Sequence, residues 1–138
     1  GLNGSKRAVC FPAACASACS FDRGLLQELG EAIGEECQAE DVSIVLGPAV
    51  NIKRSPLCGR NFEYFPKIHI SLGIGQKLYF RCAVQTSRTS IKHFAVNNQE
   101  FRRMSCSSEL DERALREIYL SAFEAAVKEL NMDGNVFL

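Results

Sequence analysis

Arg60 is the side chain with the clearest chemical potential in this sequence, because its guanidinium lies among aromatic residues. It occurs in segment 58–65, after a loop that contains Asn51, Lys53 and Arg54. A fixed guanidinium can donate paired hydrogen bonds to a carboxylate or to neighbouring hydroxyl groups. The same residue types also fit a surface salt bridge beside a structural aromatic cluster. Residue types alone leave both interpretations open.

Lys92 and His93 form the second candidate pair, at the end of a strand that we predict over residues 89–94. Adjacent side chains on a strand point to opposite faces, unless the strand ends at that point. At a strand end both can turn toward one ligand. Because such a pair is more often structural or exposed, it does not establish a site by itself.

Glu100 is the most prominent carboxylate, since it follows three amide side chains and precedes Arg102 and Arg103. Next to two arginines it is expected to stay ionised, which suits a structural ion pair or a ligand-orienting role better than a general acid. The other carboxylates have equally plain explanations, as structural groups or as residues of a helix's first turn: Glu63, Asp111 and Glu112. The residues nominate no catalytic carboxylate pair.

Hydrophobic spacing predicts the elements that position these residues. Apolar residues recur every three or four positions across 22–40, and Asp22 is placed to accept the first free N–H groups, so this segment predicts an amphipathic helix. The β-branched run 42–48 that follows predicts a buried strand. Helix followed by strand indicates α/β architecture.

The clearest helix is predicted over residues 111–130, with Ser108 three residues earlier resembling a capping box. Its expected apolar face comprises Leu115, Ile118, Tyr119, Ala122, Phe123, Ala126 and Val127. Between Phe65 and Arg88 the pattern matches neither a helix nor a strand period.

Composition indicates one globular unit with a neutral ligand. The chain has 138 residues, 46% hydrophobic content, and sixteen basic residues against sixteen acidic ones, which gives no reason to expect nucleic acid or an anionic membrane as partner. Seven cysteines without a C-x-x-C pair argue against a disulfide framework or a zinc site and weakly favour a cytoplasmic setting. Gly1 in place of Met indicates a start within a gene, so a signal peptide upstream stays an open question.

Three ordered segments resemble motifs of family 3 glycoside hydrolases of the β-glucosidase type. Residues 47–65 resemble the family's G-P-x-V-N-I-x-R-x-P-x-x-G-R-N-F-E-Y motif, and residues 90–100 are similar to its K-H-F-x-x-N-N-Q-E segment. Residues 111–120 resemble its D-E-R-x-L-R-E-I-Y-L helix. The likeness extends over nearly the whole chain except two anomalous segments.

The resemblance implies a (β/α) barrel of the TIM type followed by a second α/β domain, and a retaining hydrolysis of O-glycosidic bonds in small carbohydrate substrates without a cofactor. An aspartate nucleophile and a glutamate acid/base, about 5 Å apart, would divide the work. The glycone is the sugar whose glycosidic bond is cut. Motif by motif, four residues fall where the family binds the hydroxyls of the glycone: Arg60, Lys92, His93 and Arg103.

The departures from the family pattern concern catalysis. By the resemblance, the nucleophile lies beyond the end of this chain, the acid/base belongs to a later domain, and an aspartate that grips the sugar precedes Gly1. A full barrel needs about 250 residues, so we expect residues 1–138 to form roughly half of one, inactive without the missing half and the second domain.

The two anomalous segments, 66–88 and 131–138, suggest shifts of the reading frame. Codons for residues 66–71 can be chosen so that reading one base earlier gives Ser-Glu-Asp-Pro-Tyr-Leu, the expected continuation of the motif. Similar rereadings of 81–85 and 132–138 also give sequences typical of the family. Two further hypotheses stay open: a non-catalytic sugar-binding or partner-binding protein, and a product without function.

Overall fold

The computed structural model describes residues 6–65 and 88–128, together with the backbone of residues 129–130 and 136–137. Its helices and strands are, in chain order, α1 (Ala14–Ala18), α2 (Arg23–Ala39), β1 (Ile44–Val45), β2 (Arg88–Ile91), α3 (Glu112–Ala114), α4 (Ser121–Leu130) and β3 (Val136–Phe137). Two 3-10 turns, Pro56–Cys58 and Asn61–Glu63, lie between β1 and β2.

The three strands form one parallel sheet in the order β1-β2-β3. Ile44 pairs with Arg88 between β1 and β2, and Ser90 pairs with Val136 between β2 and β3. Parallel neighbours require a crossover, and helices α3 and α4 lie in the connection from β2 to β3. Alternating helices and parallel strands confirm the α/β prediction.

Helix α2 confirms the amphipathic helix predicted over 22–40. The Asp22 carboxylate accepts hydrogen bonds from the N–H groups of Gly24 at 2.8 Å and Leu25 at 3.1 Å, which satisfies two of the free donors at the helix start. The buried face of the helix carries Leu26, which packs with Ala18 of α1. Full burial of one leucine side chain stabilises a fold by roughly 1.5–3 kcal/mol, so this contact anchors α2.

Strand β1 is shorter and more exposed than the buried strand predicted over 42–48. Only Ile44 and Val45 form the strand, and Ile44 is 47% and Leu46 60% exposed. The reason is position, because β1 lies at the edge of the sheet formed by the described residues. The buried part of the segment comes after the strand, at residues 47–49.

Strand β2 confirms the strand predicted from Thr89, but it ends at Ile91, before Lys92 and His93. Thr89, Ser90 and Ile91 are all buried. Ile91 packs against the face of α4 in one of the hydrophobic clusters. The strand end therefore lies at the Lys–His pair, which is the condition under which both side chains can face one site.

The helix predicted over 111–130 is divided. Helix α3 is followed by a π-helical turn, Leu115–Tyr119, and α4 begins at Ser121. The wider turn changes the angular spacing of the apolar positions, since a π turn adds a residue to the hydrogen-bonded ring. On the predicted face Tyr119, Ala122, Phe123 and Ala126 are buried, whereas Ile118 and Val127 are each about half exposed.

The capping box predicted at Ser108 is wrong. The hydroxyl of Ser108 donates to the carbonyl of Val96 at 3.3 Å, and Asp111 is the residue that caps the helix. The carboxylate of Asp111 accepts from the N–H of Ala114 at 2.7 Å. The start of the helix therefore needs no cap from Ser108.

Most of the two segments interpreted as frame-shifted lies outside the described residues. Of 66–88 the structure describes Arg88, which begins β2, and of 131–138 it describes the backbone of β3. The frame-shift interpretation and the single-domain boundary 1–138 therefore stay predictions.

Candidate functional site

Three chain segments meet around Ala49, just beyond the end of β1. The N–H of Lys92 donates to the carbonyl of Pro48 at 2.9 Å, and the N–H of Val50 donates to the carbonyl of Lys92 at 2.8 Å. On the other side the N–H of Phe65 donates to the carbonyl of Ala49 at 3.1 Å. These bonds bring the polar residues that follow β1 and β2 to the carboxyl end of the sheet, where parallel α/β folds carry their ligand sites.

Arg60 occupies the centre of the polar cluster. Its Nε pairs with Glu63, its Nη1 donates to Glu100 Oε1 at 3.1 Å, and its Nη2 lies 3.0 Å from His93 Nε2. The guanidinium is thus held from three directions at once. A donor fork fixed in this way is pre-organised for a ligand with several acceptor oxygens.

Lys92 and Arg103 extend the cluster through the two carboxylates that contact Arg60. The Lys92 ammonium lies 3.4 Å from Glu63 Oε2, and Arg103 Nε lies 3.3 Å from Glu100 Oε2. Each carboxylate therefore bridges Arg60 to one further cation. We call the six residues of this cluster the ion-pair chain: Lys92, Glu63, Arg60, His93, Glu100 and Arg103.

The local backbone aims Arg60 into the cluster. Gly59 has φ of 89°, a conformation that glycine adopts without a steric penalty, and it ends the 3-10 turn Pro56–Cys58 directly before Arg60. Ser55 caps that turn by accepting from the N–H of Leu57. The N–H of Glu100 donates to the carbonyl of Cys58 at 3.1 Å, which ties the loop after β2 to this turn.

Electrostatics favour the charged forms of Arg60 and Glu63. The hydrogen bond to Glu63 raises the pKa of Arg60 above its ordinary value, against the opposing effect of burial. Burial alone would raise the pKa of Glu63, but the hydrogen bond from Arg60 and the charge of Lys92 outweigh it and lower that pKa. Glu63 is therefore held as a carboxylate.

The surroundings of His93, in contrast, favour its neutral form. Burial lowers the pKa of His93, and the positive charges of Arg60 and Lys92 lower it further. Its ring stands edge-on to the ring of Tyr64, with 6.0 Å between the centroids. Burial raises the pKa of Tyr64 to about 12, so both rings are neutral at pH 7.

The structure brings together all four residues that the sequence nominated as sugar ligands, Arg60, Lys92, His93 and Arg103. It also confirms the ion-pair role expected of Glu100, although its partners are Arg60 and Arg103. Arg102 instead lies over the ring of Phe101.

Two basic residues of the loop after β1 are not members of the ion-pair chain. Arg54 donates to the hydroxyl of Tyr119 at 2.6 Å, so it ties the loop to the π-helical turn. Among the described residues, no hydrogen bond or ion pair joins Lys53 to the ion-pair chain.

Asn51 is a residue of the site that reasoning from the sequence missed. It is buried, with 3% of its surface exposed, and its side chain bonds to the backbone and the ring of His93. The signal was available: a polar residue inside the otherwise apolar stretch 49–52 needs buried hydrogen-bond partners.

A cleft of about 250 Å³ lies beside the ion-pair chain and has Arg103 in its wall. The rest of its lining comes from the loop after β2: residues 94–99 with Cys106 and Ser108. A larger cavity of about 470 Å³ lies between the N-terminal segment and α2, with a mostly apolar wall. Because a polar ligand needs convergent donors and acceptors, the smaller cleft is the better site candidate.

Metal chemistry has no candidate group within the described ranges. There, no cluster of three or more His, Cys, Asp or Glu side chains could hold an ion, and the six cysteines are free. Within the same ranges no helix is both long and apolar enough to cross a bilayer.

Comparison with known proteins places this geometry in a family. Residues 2–135 match the family described as Glycosyl hydrolase family 3 N terminal domain. The chain belongs to glycosyl hydrolase family 3. The expected resemblance is thereby confirmed over nearly the whole chain.

The family 3 relatives are glycosidases of much greater length. The chain is 54% identical over 129 residues to thermostable beta-glucosidase B of Acetivibrio thermocellus, and 44% identical over 135 residues to an exo-alpha-(1->6)-L-arabinopyranosidase of Bifidobacterium longum. Each match covers 93% of this chain and 17% of the relative. The chain thus spans about a sixth of the length of these family 3 relatives.

A solved family 3 structure has the same fold. Beta-glucosidase 3B from Thermotoga neapolitana, in complex with α-D-glucose, superposes with a TM-score of 0.81 at 45% identity, over 86% of this chain and 17% of that one. This likeness confirms the expected partial (β/α) barrel of the TIM type.

Proposed function

We propose that this chain supplies the glycone-binding part of a family 3 active site that hydrolyses O-glycosidic bonds. Arg60, Lys92, His93 and Arg103 are the proposed sugar ligands. The observation that carries the proposal is the ion-pair chain, because it joins these four side chains, from separate segments, into one hydrogen-bonded cluster.

The chemistry of the cluster suits a neutral polyol. Three cations are partly neutralised by two carboxylates, so the cluster offers directed hydrogen bonds without a large unbalanced charge. An anionic ligand would have to compete with Glu63 and Glu100 for the same donors. A sugar hydroxyl can instead donate to a carboxylate and accept from a neighbouring cation, which is the pattern that alternating charges provide.

Neither Glu63 nor Glu100, the two carboxylates of the ion-pair chain, is proposed as a catalytic acid or nucleophile. Both are ion-paired with Arg60 and orient its guanidinium. A general acid needs a raised pKa, and the pKa of Glu63 is lowered. We therefore propose that these 138 residues bind sugar without turnover, and that hydrolysis requires the nucleophile and the acid/base that the resemblance implies elsewhere.

The same observation favours the second candidate, a non-catalytic sugar-binding protein. A cluster of ion-paired carboxylates binds hydroxyl groups whether or not a reaction follows. The two candidates differ only in whether hydrolysis accompanies binding in the full-length protein.

Glucose titration followed by protein NMR tests the binding. We expect saturable shifts with a dissociation constant on the order of millimolar, equivalent to about 4 kcal/mol, because few ligand groups are engaged. Arg60→Lys should weaken binding about tenfold, since a lysine cannot reproduce the fork. Arg113→Lys is the matched control, because Arg113 is 84% exposed on α3. Equal effects of both substitutions, or no saturation, would refute the proposal.

Two titrations distinguish whether the site prefers a hexose or a pentopyranose. L-arabinopyranose differs from D-glucose in two ways, because it lacks the exocyclic hydroxymethyl group and its 4-hydroxyl has the opposite configuration. Tighter binding of glucose would support a β-glucosidase-type site, whereas equal or tighter binding of arabinose would support a pentopyranoside. Release of nitrophenol from an aryl β-glucoside, expected to be absent for this chain, distinguishes binding from turnover.

A further inference from the structure

Asn51 makes hydrogen bonds whose polarity is set by the backbone. Its Nδ2 lies 2.9 Å from the carbonyl of His93 and 3.4 Å from the carbonyl of Ala95, and its Oδ1 lies 2.6 Å from the backbone N–H of His93. Carbonyls only accept and an N–H only donates. The reversed orientation of the amide would oppose like groups at each of these contacts, so the position of Oδ1 is determined.

This orientation determines the proton position on the His93 ring. Oδ1 of Asn51 also lies 3.3 Å from His93 Nδ1, and an amide oxygen can only accept, so Nδ1 must carry the proton. On the far side of the ring Nε2 lies 3.0 Å from Nη2 of Arg60, which can only donate. Two independent neighbours therefore require the same tautomer, with the free lone pair on Nε2.

The surroundings keep this ring neutral. Burial is the largest effect that lowers the pKa of His93, the charges of Arg60 and Lys92 lower it further, and those of Glu63 and Glu100 raise it more weakly. The neutral ring has one donor and one acceptor nitrogen. Its acceptor side is the one directed at the ion-pair chain.

We propose that Asn51 is a positioning residue that fixes His93 as the Nδ1–H tautomer, so that Nε2 accepts from Arg60 and holds that guanidinium in place for the ligand. The ligand role rests on the proposed sugar site, whereas the tautomer does not. Because the lone pair of Nε2 is taken by Arg60, His93 acts on a sugar through the position of the guanidinium.

Long-range 1H–15N correlation spectra of histidine-labelled protein test the tautomer without any sugar. The chain has two histidines, and His69→Gln assigns the signals of His93. We expect a protonated, pyrrole-type Nδ1 and a pyridine-type Nε2 at neutral pH. A protonated Nε2, or an averaged mixture of both tautomers, overturns the proposal.

Substitutions at Asn51 test whether this residue determines the tautomer of His93. Asn51→Asp keeps the acceptor beside Nδ1 and adds a negative charge, so the tautomer should persist and the titration midpoint of His93 should rise by about one unit. Asn51→Ala removes one of the two neighbours that require this tautomer and should raise the population of the Nε2–H form, which only Arg60 then opposes. If the alanine variant does not fold, the aspartate variant still decides the question, because an unmoved midpoint contradicts the contact.

Asn98→Asp is the matched control. Asn98 Nδ2 donates to the carbonyl of Ile52 at 2.6 Å, so it joins the same two loops as Asn51 by another contact. It should leave the tautomer unchanged and move the His93 midpoint less than Asn51→Asp does. Equal shifts in both variants would overturn the assignment. Loss of glucose binding with the tautomer intact would refute the proposed function alone.

Discussion

Glu100 accepts a hydrogen bond from Arg60, with 3.1 Å between Oε1 and Nη1. The two residues belong to different connections of the fold, one after β1 and one after β2. Their contact is reinforced beside them, where the N–H of Glu100 donates to the carbonyl of Cys58. The most prominent carboxylate of the sequence thus holds a guanidinium in place, which agrees with the ion-pair role expected for it.

Glu100→Gln should weaken both sugar binding and the fold. The substitution removes the charge shared by Arg60 and Arg103 while keeping the size of the side chain. We expect glucose affinity to fall several-fold and the free energy of unfolding to fall by about 1 kcal/mol, because the pairs are only partly buried. Urea unfolding and NMR titration measure the two effects. Glu117→Gln, which breaks the exposed pair with Arg113, should change neither.

The stability supplied by Glu63 should depend on pH. Its pKa in the folded protein lies below the ordinary value of 4.5, so the unfolded chain binds the proton more readily. The contribution is therefore complete above pH 4.5 and is lost as the pH falls through the lowered pKa. Urea unfolding of wild type and Glu63→Gln at a series of pH values should show a difference that shrinks in acid. A difference that grows on acidification would contradict the ion pairs.

Asp22→Ala should destabilise the protein by about 1 kcal/mol, because two N–H groups at the start of α2 lose their acceptor. Asp22→Asn should restore most of the loss, since an amide oxygen also caps a helix. Thermal or urea unfolding of the two variants measures this. An asparagine variant as unstable as the alanine variant would show that charge, and not capping, stabilises the helix start.

Sequencing of the coding DNA across codons 65–88 tests the frame-shift hypothesis. We expect that restoring single bases yields a frame encoding Ser-Glu-Asp-Pro-Tyr-Leu after Phe65, the continuation typical of the family. Codons incompatible with that rereading would end the hypothesis and leave these residues as a true departure from family 3.

Much of the local structure was determined by the sequence itself. Helix α2 begins one residue after Asp22, as its capping chemistry predicts, because a cap and a 3.6-residue period depend only on near neighbours. The alternation of helix and parallel strand was likewise readable. The identity of the candidate ligands came from ordered motifs, and the structure gathers all four of them into one cluster.

Tertiary structure decided how those ligands are held. The bridging of Arg60 by Glu63 and Glu100, and the bonds of Asn51 to His93, join segments distant in sequence, and no local period encodes such pairings. The π-helical turn before α4 and the exposure of Ile44 also depend on packing. Helix propensity and apolar character do not indicate which neighbours a residue will have in the fold.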